Sequence, residues 1–360
     1  MKFLGLKTAI IILGTGAVLA VPVILVLGKT PAKPAQIHQL SQPANDATDV
    51  RAQLRRLVAA NPVSTPTPTA TPATATAAPA GGAAASSHPA PPPPQPTATP
   101  SVPAFSHVFV IVMENHEYGS VILANSYGLA TNYYAASHPS LPNYLALTAG
   151  STFGIASDCT TCYVNATNIG DQLEASGRSW KAYMEDMPSP CFTGASSGNY
   201  AMKHDPFMYY NDIRNNAARC AAHVVPFSQF SGDMNSGQVP NFVWITPNMC
   251  NDMHDCSVAT GDAWLRSVVP TITGSAAFRN GGALFITWDE GSSSAGCCGD
   301  SWGGHVPTLV ISPRAIPGYR SGVAENHYGL LRTIEDAFRL GHLNAAGWSS
   351  SAPLREYFRQ

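Results

Sequence analysis

Four short stretches of this chain are apolar almost throughout: His107 to Met113 (HVFVIVM), Phe242 to Thr246 (FVWIT), Gly282 to Trp288 (GALFITW) and Val306 to Ser312 (VPTLVIS). Runs rich in Val, Ile and Phe, without the alternation of a half-exposed strand, predict strands buried on both faces. Between them the spacing is helical at Leu141 to Thr148, Ile169 to Ser176, Ala263 to Ile272 and Leu330 to Leu340. Strands that alternate with helices predict an α/β fold, a largely parallel central sheet with helices on both faces. All 8 Cys and all 6 Trp of the chain lie within residues 104–360. That segment, about 257 residues, is long enough for one large domain with its own core.

The preceding residues cannot build such a core. Thr8 to Leu27 (TAIIILGTGAVLAVPVILVL) carries no charge and follows Lys2 and Lys7. At 1.5 Å per residue a 20-residue helix spans about 30 Å, the thickness of a bilayer core. The run is longer than the apolar region of a signal peptide, so residues 1–28 read as an uncleaved signal anchor; a signal peptide cut after Ala20 is the alternative. Residues 29–103 read as a disordered linker. From Asn61 to Pro103 the chain is dominated by Pro, Thr, Ala and Ser, a composition that cannot offset its own ordering entropy and favours extended polyproline geometry. The expectation is a tether that holds an extracytoplasmic domain at a cell membrane, or releases it as a secreted protein if the leader is cut.

Charge excludes one class of partner. The first 103 residues carry seven Lys/Arg against two Asp/Glu, and the remainder 13 against 20. A folded part at net −7 with no basic run argues against nucleic-acid binding, which needs clustered cations to neutralise phosphates. An even cysteine count in an exported chain favours disulfides. Cys159-Thr-Thr-Cys162 has zinc-site spacing, but no second such pair or His pair accompanies it. Adjacent Cys297 and Cys298 are expected to find separate partners.

In open parallel sheets ligands bind beyond the carboxyl ends of the strands. The residues that follow these strands are chemically alike: Glu114-Asn115-His116 after the first, Asp252, His254 and Asp255 after the second, Asp289-Glu290 after the third. His305 stands just before the fourth. Taken singly, each is explained as a cap or a solvated loop residue. Their common placement gathers carboxylates and imidazoles at one sheet edge, and that much negative charge is stabilised by cations. Oxygen donors mixed with His suit a divalent metal such as Zn, Mn, Ca or Fe, and the mixture does not choose among them.

A nucleophile is also present. In Ser137 to Asn143 (SHPSLPN), Pro142 suits a first helical turn and puts Ser140 at or near an N-cap. A hydroxyl at a helix N-terminus faces free N–H groups and a dipole that favours an anionic phosphoryl group, and a nearby cation would lower its pKa. Plain capping is the structural alternative. No Gly-x-Ser-x-Gly elbow occurs.

Together, Val110 to Tyr118 (VIVMENHEY), His138 to Gly150 (HPSLPNYLALTAG), Pro247 to Cys256 (PNMCNDMHDC), Thr287 to Gly291 (TWDEG), Gly303 to Pro313 (GGHVPTLVISP) and Asn326 to Leu343 (NHYGLLRTIEDAFRLGHL) resemble the bacterial phosphoesterase family of acid phosphatases and non-specific phospholipases C, within the alkaline-phosphatase superfamily. The likeness spans essentially all of 104–360 and none of the tether. It implies an alkaline-phosphatase-like fold and a phosphate-ester substrate. It implies metal contacts from Glu114 and Asn115 and from Asp289 and Glu290, with Ser140 as nucleophile through a phosphoseryl intermediate. Asp252, His254 and His305 match residues around the phosphate or a second metal, and His138 and His204 are implied phosphate contacts. Phospholipase members read Glu-Asn-Arg at the first motif, where this chain has His116, so a phosphomonoesterase is expected first. A phosphodiesterase or phospholipase C, or a non-catalytic surface binding domain, are the alternatives.

Overall fold

In chain order the main-sheet strands are β1 (His107–Met113), β2 (Gly128–Ala130), β3 (Trp180–Met184), β4 (Val224–Pro226), β5 (Phe242–Thr246), β6 (Gly282–Trp288), β7 (Thr308–Ile311) and β8 (Arg320–Ser321). They form one eight-stranded sheet ordered β8-β2-β7-β6-β1-β5-β3-β4. β4, β3, β5, β1 and β6 are parallel neighbours, whereas β7 lies antiparallel to both β6 and β2. Every residue of β5 and β6, and every residue of β1 after His107, is buried. Side chains of a strand alternate between faces, so this sheet is covered on both sides. Each fully buried Val, Ile, Leu or Phe contributes about 1.5–3 kcal/mol relative to exposure. The α/β expectation therefore holds, with two refinements. The fourth apolar run pairs antiparallel, and β3 was not anticipated, because Lys181 interrupts its apolar pattern and pairs with Asp233 at 2.7 Å.

The computed structural model describes residues 101–120 and 126–359. The anticipated membrane helix at Thr8 to Leu27 and residues 29–100 of the linker lie outside the described residues; of its last three residues, which are described, Val102 is buried in the core. Among the described residues no helix is long and apolar enough to cross a membrane.

Four helices matter for the site: α1 (Ser140–Ala149), α2 (Ile169–Ala175), α3 (Val258–Thr273) and α4 (His327–Phe338). α1 is buried along its whole length. It stops at Gly150, whose φ of +69° is left-handed and where a Cβ would stand 2.3 Å from the Leu343 carbonyl oxygen; only glycine suits that C-cap. Asn168 caps α2 with a capping box and Asn326 caps α4 by accepting from Gly329 N–H at 2.8 Å.

The cysteines pair as Cys159–Cys162, Cys191–Cys220, Cys250–Cys256 and Cys297–Cys298, leaving none free. The CxxC pair is a disulfide, as expected, and four disulfides fit an oxidising, extracytoplasmic compartment. Separate partners for Cys297 and Cys298 are not found. The other six cysteines are consumed in their own bridges, and a loop closed by mutual Cys297–Ser301 backbone hydrogen bonds holds Cys298 at φ +67°, facing its neighbour.

Candidate active site

Three adjacent parallel strands, β6, β1 and β5, deliver three carboxylates to one edge. Glu114 directly follows β1 and Asp289 directly follows β6, and Asp289 N–H donates to the Met113 carbonyl at 2.9 Å. Asp252 comes from the loop after β5, and its carbonyl accepts from Glu114 N–H at 2.9 Å. All three are fully buried. The β5 loop is shaped by Asn248, whose Oδ1 accepts from Cys250 and Asn251 N–H while its Nδ2 donates to Asp186, and it is closed by the Cys250–Cys256 bridge.

Ser140 is the first residue of α1, with Pro139 at the cap position, so it is not the cap itself. Asn143 accounts for this: its side chain accepts from Ser137 N–H and donates to the carbonyls of Ser137 and Pro139, bracing the turn into the helix. The Ser140 hydroxyl is therefore free to donate to Glu114 Oε2 at 3.1 Å. Tyr144, one turn on, donates to Glu114 Oε1 at 2.6 Å.

Imidazoles close the other side. His204 is buried and stacks on Tyr144, with Nε2 at 3.2 Å from Glu114 Oε1 and Nδ1 at 3.3 Å from Asp252 Oδ2. These are ion-pair distances without hydrogen-bond alignment. His254 Nδ1 faces Asp255 at 2.7 Å, and its Nε2 accepts from Lys203 Nζ at 3.2 Å. Ligand atoms of Glu114, His204 and His254 lie within 4.8 Å of one another, the spacing of a metal site.

Electrostatics point the same way. Burial, and then the charges of Asp289 and Asp252, push the Glu114 carboxyl well above its usual range. Burial and the neighbouring Glu290 do the same to Asp289, and burial raises Asp252 to about 7. Burial, with Lys203 and His254 nearby, pulls His204 well below the usual imidazole value. Asp289 Oδ2 and Asp252 Oδ2 have no hydrogen-bond partner although both are buried. Buried acids with orphaned oxygens beside a neutral imidazole fit a divalent cation, which would meet the unpaired acceptors and reverse the cost of ionising the acids.

The remaining anticipated residues stand nearby in other roles. Asn115, at φ +58°, gives its backbone N–H to Asp289 Oδ1 at 3.0 Å. Glu290 faces His138 Nδ1 at 2.5 Å, and His138 Nε2 donates to the Ser293 carbonyl. His305 is engaged elsewhere: its backbone bridges to Tyr134, its ring stacks on Tyr118 and Tyr134, and its Nε2 donates to Thr131 O. His327 supports the site from behind, accepting from Tyr133 and donating Nε2–H to the Asp289 carbonyl; burial lowers it to about 4. Tyr144, Lys203 and Asp158 were missed in the sequence. Their signal was available only as position, one helical turn from Ser140 or beside His204 and Cys159.

The phosphoesterase family model matches residues 120–341. A phosphatidylinositol-3-phosphatase of Mycobacterium tuberculosis is 33% identical over 270 residues, covering 71% of this chain and 83% of that protein. An acid phosphatase of Aspergillus fumigatus and a probable acid phosphatase of Kluyveromyces lactis are each 29% identical, over 70% and 67% of this chain. The chain spans 59% and 60% of their lengths. Among solved structures, a Vibrio parahaemolyticus protein of the alkaline phosphatase superfamily aligns with TM-score 0.49 at 13% identity, over 71% of this chain and 72% of that one. With Ser140, His204, Asp252, His254 and Asp289 all inside the matched segment, this chain belongs to the phosphoesterase family and is a phosphoric ester hydrolase.

Proposed function

We propose that the protein is an extracytoplasmic, metal-dependent phosphomonoesterase that works through a phosphoseryl intermediate. The observation that carries this reading is the Ser140 hydroxyl hydrogen-bonded to Glu114 at the start of a buried helix, within a cluster of unneutralised acids and imidazoles. Glu114, Asp289, His204 and His254 would hold the cation, with Asp252 supporting His204. When bound, the cation would act as a Lewis acid on the phosphoryl oxygens and favour the ionised form of the serine.

The chain's own residues supply the rest. Ser140 Oγ attacks phosphorus in line, its proton passing toward Glu114 Oε2. The bond from phosphorus to the ester oxygen breaks, and the alcohol leaves after taking a proton from solvent. Water then attacks phosphorus from the side the alcohol vacated, opposite Ser140 Oγ. The bond from phosphorus to Oγ breaks as Glu114 returns its proton to the serine, the water's proton passes to solvent, and inorganic phosphate is released. The N-terminal dipole of α1 stabilises the anionic phosphoryl group throughout. Tyr144 fixes Glu114, Asn115 N–H and His327 fix Asp289, and His138 fixes Glu290 beside Asp289.

One relative is by name a phosphatidylinositol-3-phosphatase, so soluble and lipid phosphate monoesters are both candidate substrates. The test is a panel of an aryl phosphate, an aryl phosphodiester, phosphatidylinositol 3-phosphate and phosphatidylcholine. Hydrolysis of both monoesters or either one, with the diester and phosphatidylcholine untouched, is the expected result. Preferred cleavage of phosphatidylcholine to diacylglycerol would identify a phospholipase C instead.

A further inference from the structure

Asp158 makes two bonds that a phosphoryl group at Ser140 would also seek. Its Oδ1 accepts from the N–H of Leu141, the residue after Ser140, at 3.0 Å. Its Oδ2 pairs with Lys203 Nζ at 3.0 Å. One backbone N–H from the first turn of a helix and one ammonium form an anion cradle, and here a carboxylate of the chain fills it. Neither side chain is locked in the core: Lys203 is 21% exposed and Asp158 28%. Lys203 also donates to His254 Nε2, a lone pair that cannot serve Lys203 and a metal at once.

We propose that Asp158 is a resident stand-in for the phosphoryl group, displaced when substrate binds, and that Lys203 then passes from Asp158 to a phosphoryl oxygen. This rests on the phosphatase reading above and assigns a phosphate-binding role to Lys203 and a competing one to Asp158. The exchange replaces one anion by another against the same ammonium and the same N–H. A monoanionic diester only matches the charge of the carboxylate it displaces, whereas a dianionic monoester exceeds it, so dianionic monoesters are preferred.

The two residues make opposite predictions, which separates this role from a merely structural ion pair. Inorganic phosphate is titrated calorimetrically into the full chain, with and without divalent cation, and into Lys203→Met, Lys203→Arg and Asp158→Ala variants. Lys203→Met should weaken phosphate about ten- to a hundredfold, the worth of one charge-assisted hydrogen bond. Lys203→Arg should recover most of that affinity. Asp158→Ala should tighten phosphate binding, because the competing carboxylate is gone. If Asp158→Ala does not fold, Asp158→Asn, which keeps an acceptor for Leu141 N–H, should shift binding in the same direction. Weakening by both Asp158→Ala and Lys203→Met, no effect of Lys203→Met, or no phosphate binding to the wild-type chain under either condition would overturn the inference. Ser140 is intact in every variant and no turnover is required. The outcome therefore stands apart from whether phosphate is ever trapped on Ser140.

Discussion

Ser140 Oγ lies 3.1 Å from Glu114 Oε2, joining the first residue of α1 to the residue that follows β1. A buried carboxylate that accepts from a hydroxyl and from Tyr144 is positioned for chemistry at the cost of being hard to ionise. That cost is what a cation offsets, and it leads to the first prediction. Treatment of the purified chain with chelator should abolish aryl phosphate hydrolysis, and a single divalent species should restore it. Undiminished turnover in protein shown by elemental analysis to be metal-free would contradict the account.

The same acids make stability depend on pH. Asp252 is raised from its ordinary 3.8 to about 7, and Glu114 and Asp289 are raised well above their ordinary values. Between pH 4 and pH 7 the folded, chelated chain therefore holds protons that the unfolded chain has lost, so its stability should fall as pH rises through that window. Asp205 (about 7), Glu325 and Glu335 (each about 8) slope the same way with or without cation. The difference between Tm profiles of chelated and cation-loaded protein thus isolates the site. The loaded profile should be the flatter; parallel profiles would mean the cluster binds no cation.

Most of this site was legible in the sequence because its residues follow continuous apolar strands. Glu114, Asp252 and Asp289 needed only β1, β5 and β6 to be placed in one parallel sheet. What escaped depends on side-chain direction, which periodicity does not carry. His204, implied by the family resemblance as a phosphate contact and not by periodicity, arrives from a short 3-10 turn between loops and reaches the centre of the cluster, whereas His305, beside a strand, turns to stack on Tyr118 and Tyr134. β3 was hidden by Lys181, and the pairing of Cys297 with Cys298 follows from which other cysteines the fold brings together.

Tyr144 isolates one supporting contact. Tyr144→Phe removes the hydroxyl that donates to Glu114 Oε1 and keeps the ring stacked on His204. Loss of an outer hydrogen bond to a metal ligand typically lowers metal affinity 10–100-fold. The variant should fold normally, bind a divalent cation more weakly by that factor in calorimetry, and regain activity at higher cation concentration. Wild-type affinity in the variant would remove Tyr144 from the site.

The Cys191–Cys220 bridge is the longest-range disulfide, with a separation of 29 residues. Loop-closure entropy assigns such a crosslink about 3–4 kcal/mol. A Cys191→Ser, Cys220→Ser double variant should unfold at lower denaturant while turning over at the normal rate when folded, since neither residue touches the acid cluster. An unchanged unfolding midpoint would show that the bridge contributes little.

The covalent role of Ser140 is tested most directly by acid quenching during turnover of a ³²P-labelled aryl phosphate, followed by peptide mapping. The label should sit on the peptide containing Ser140. Ser140→Ala should take up none and lose several orders of magnitude in rate, although the hydrogen bond it removes is worth only about 1 kcal/mol to the fold. Label on another residue, or near-normal turnover by folded Ser140→Ala, would contradict the account.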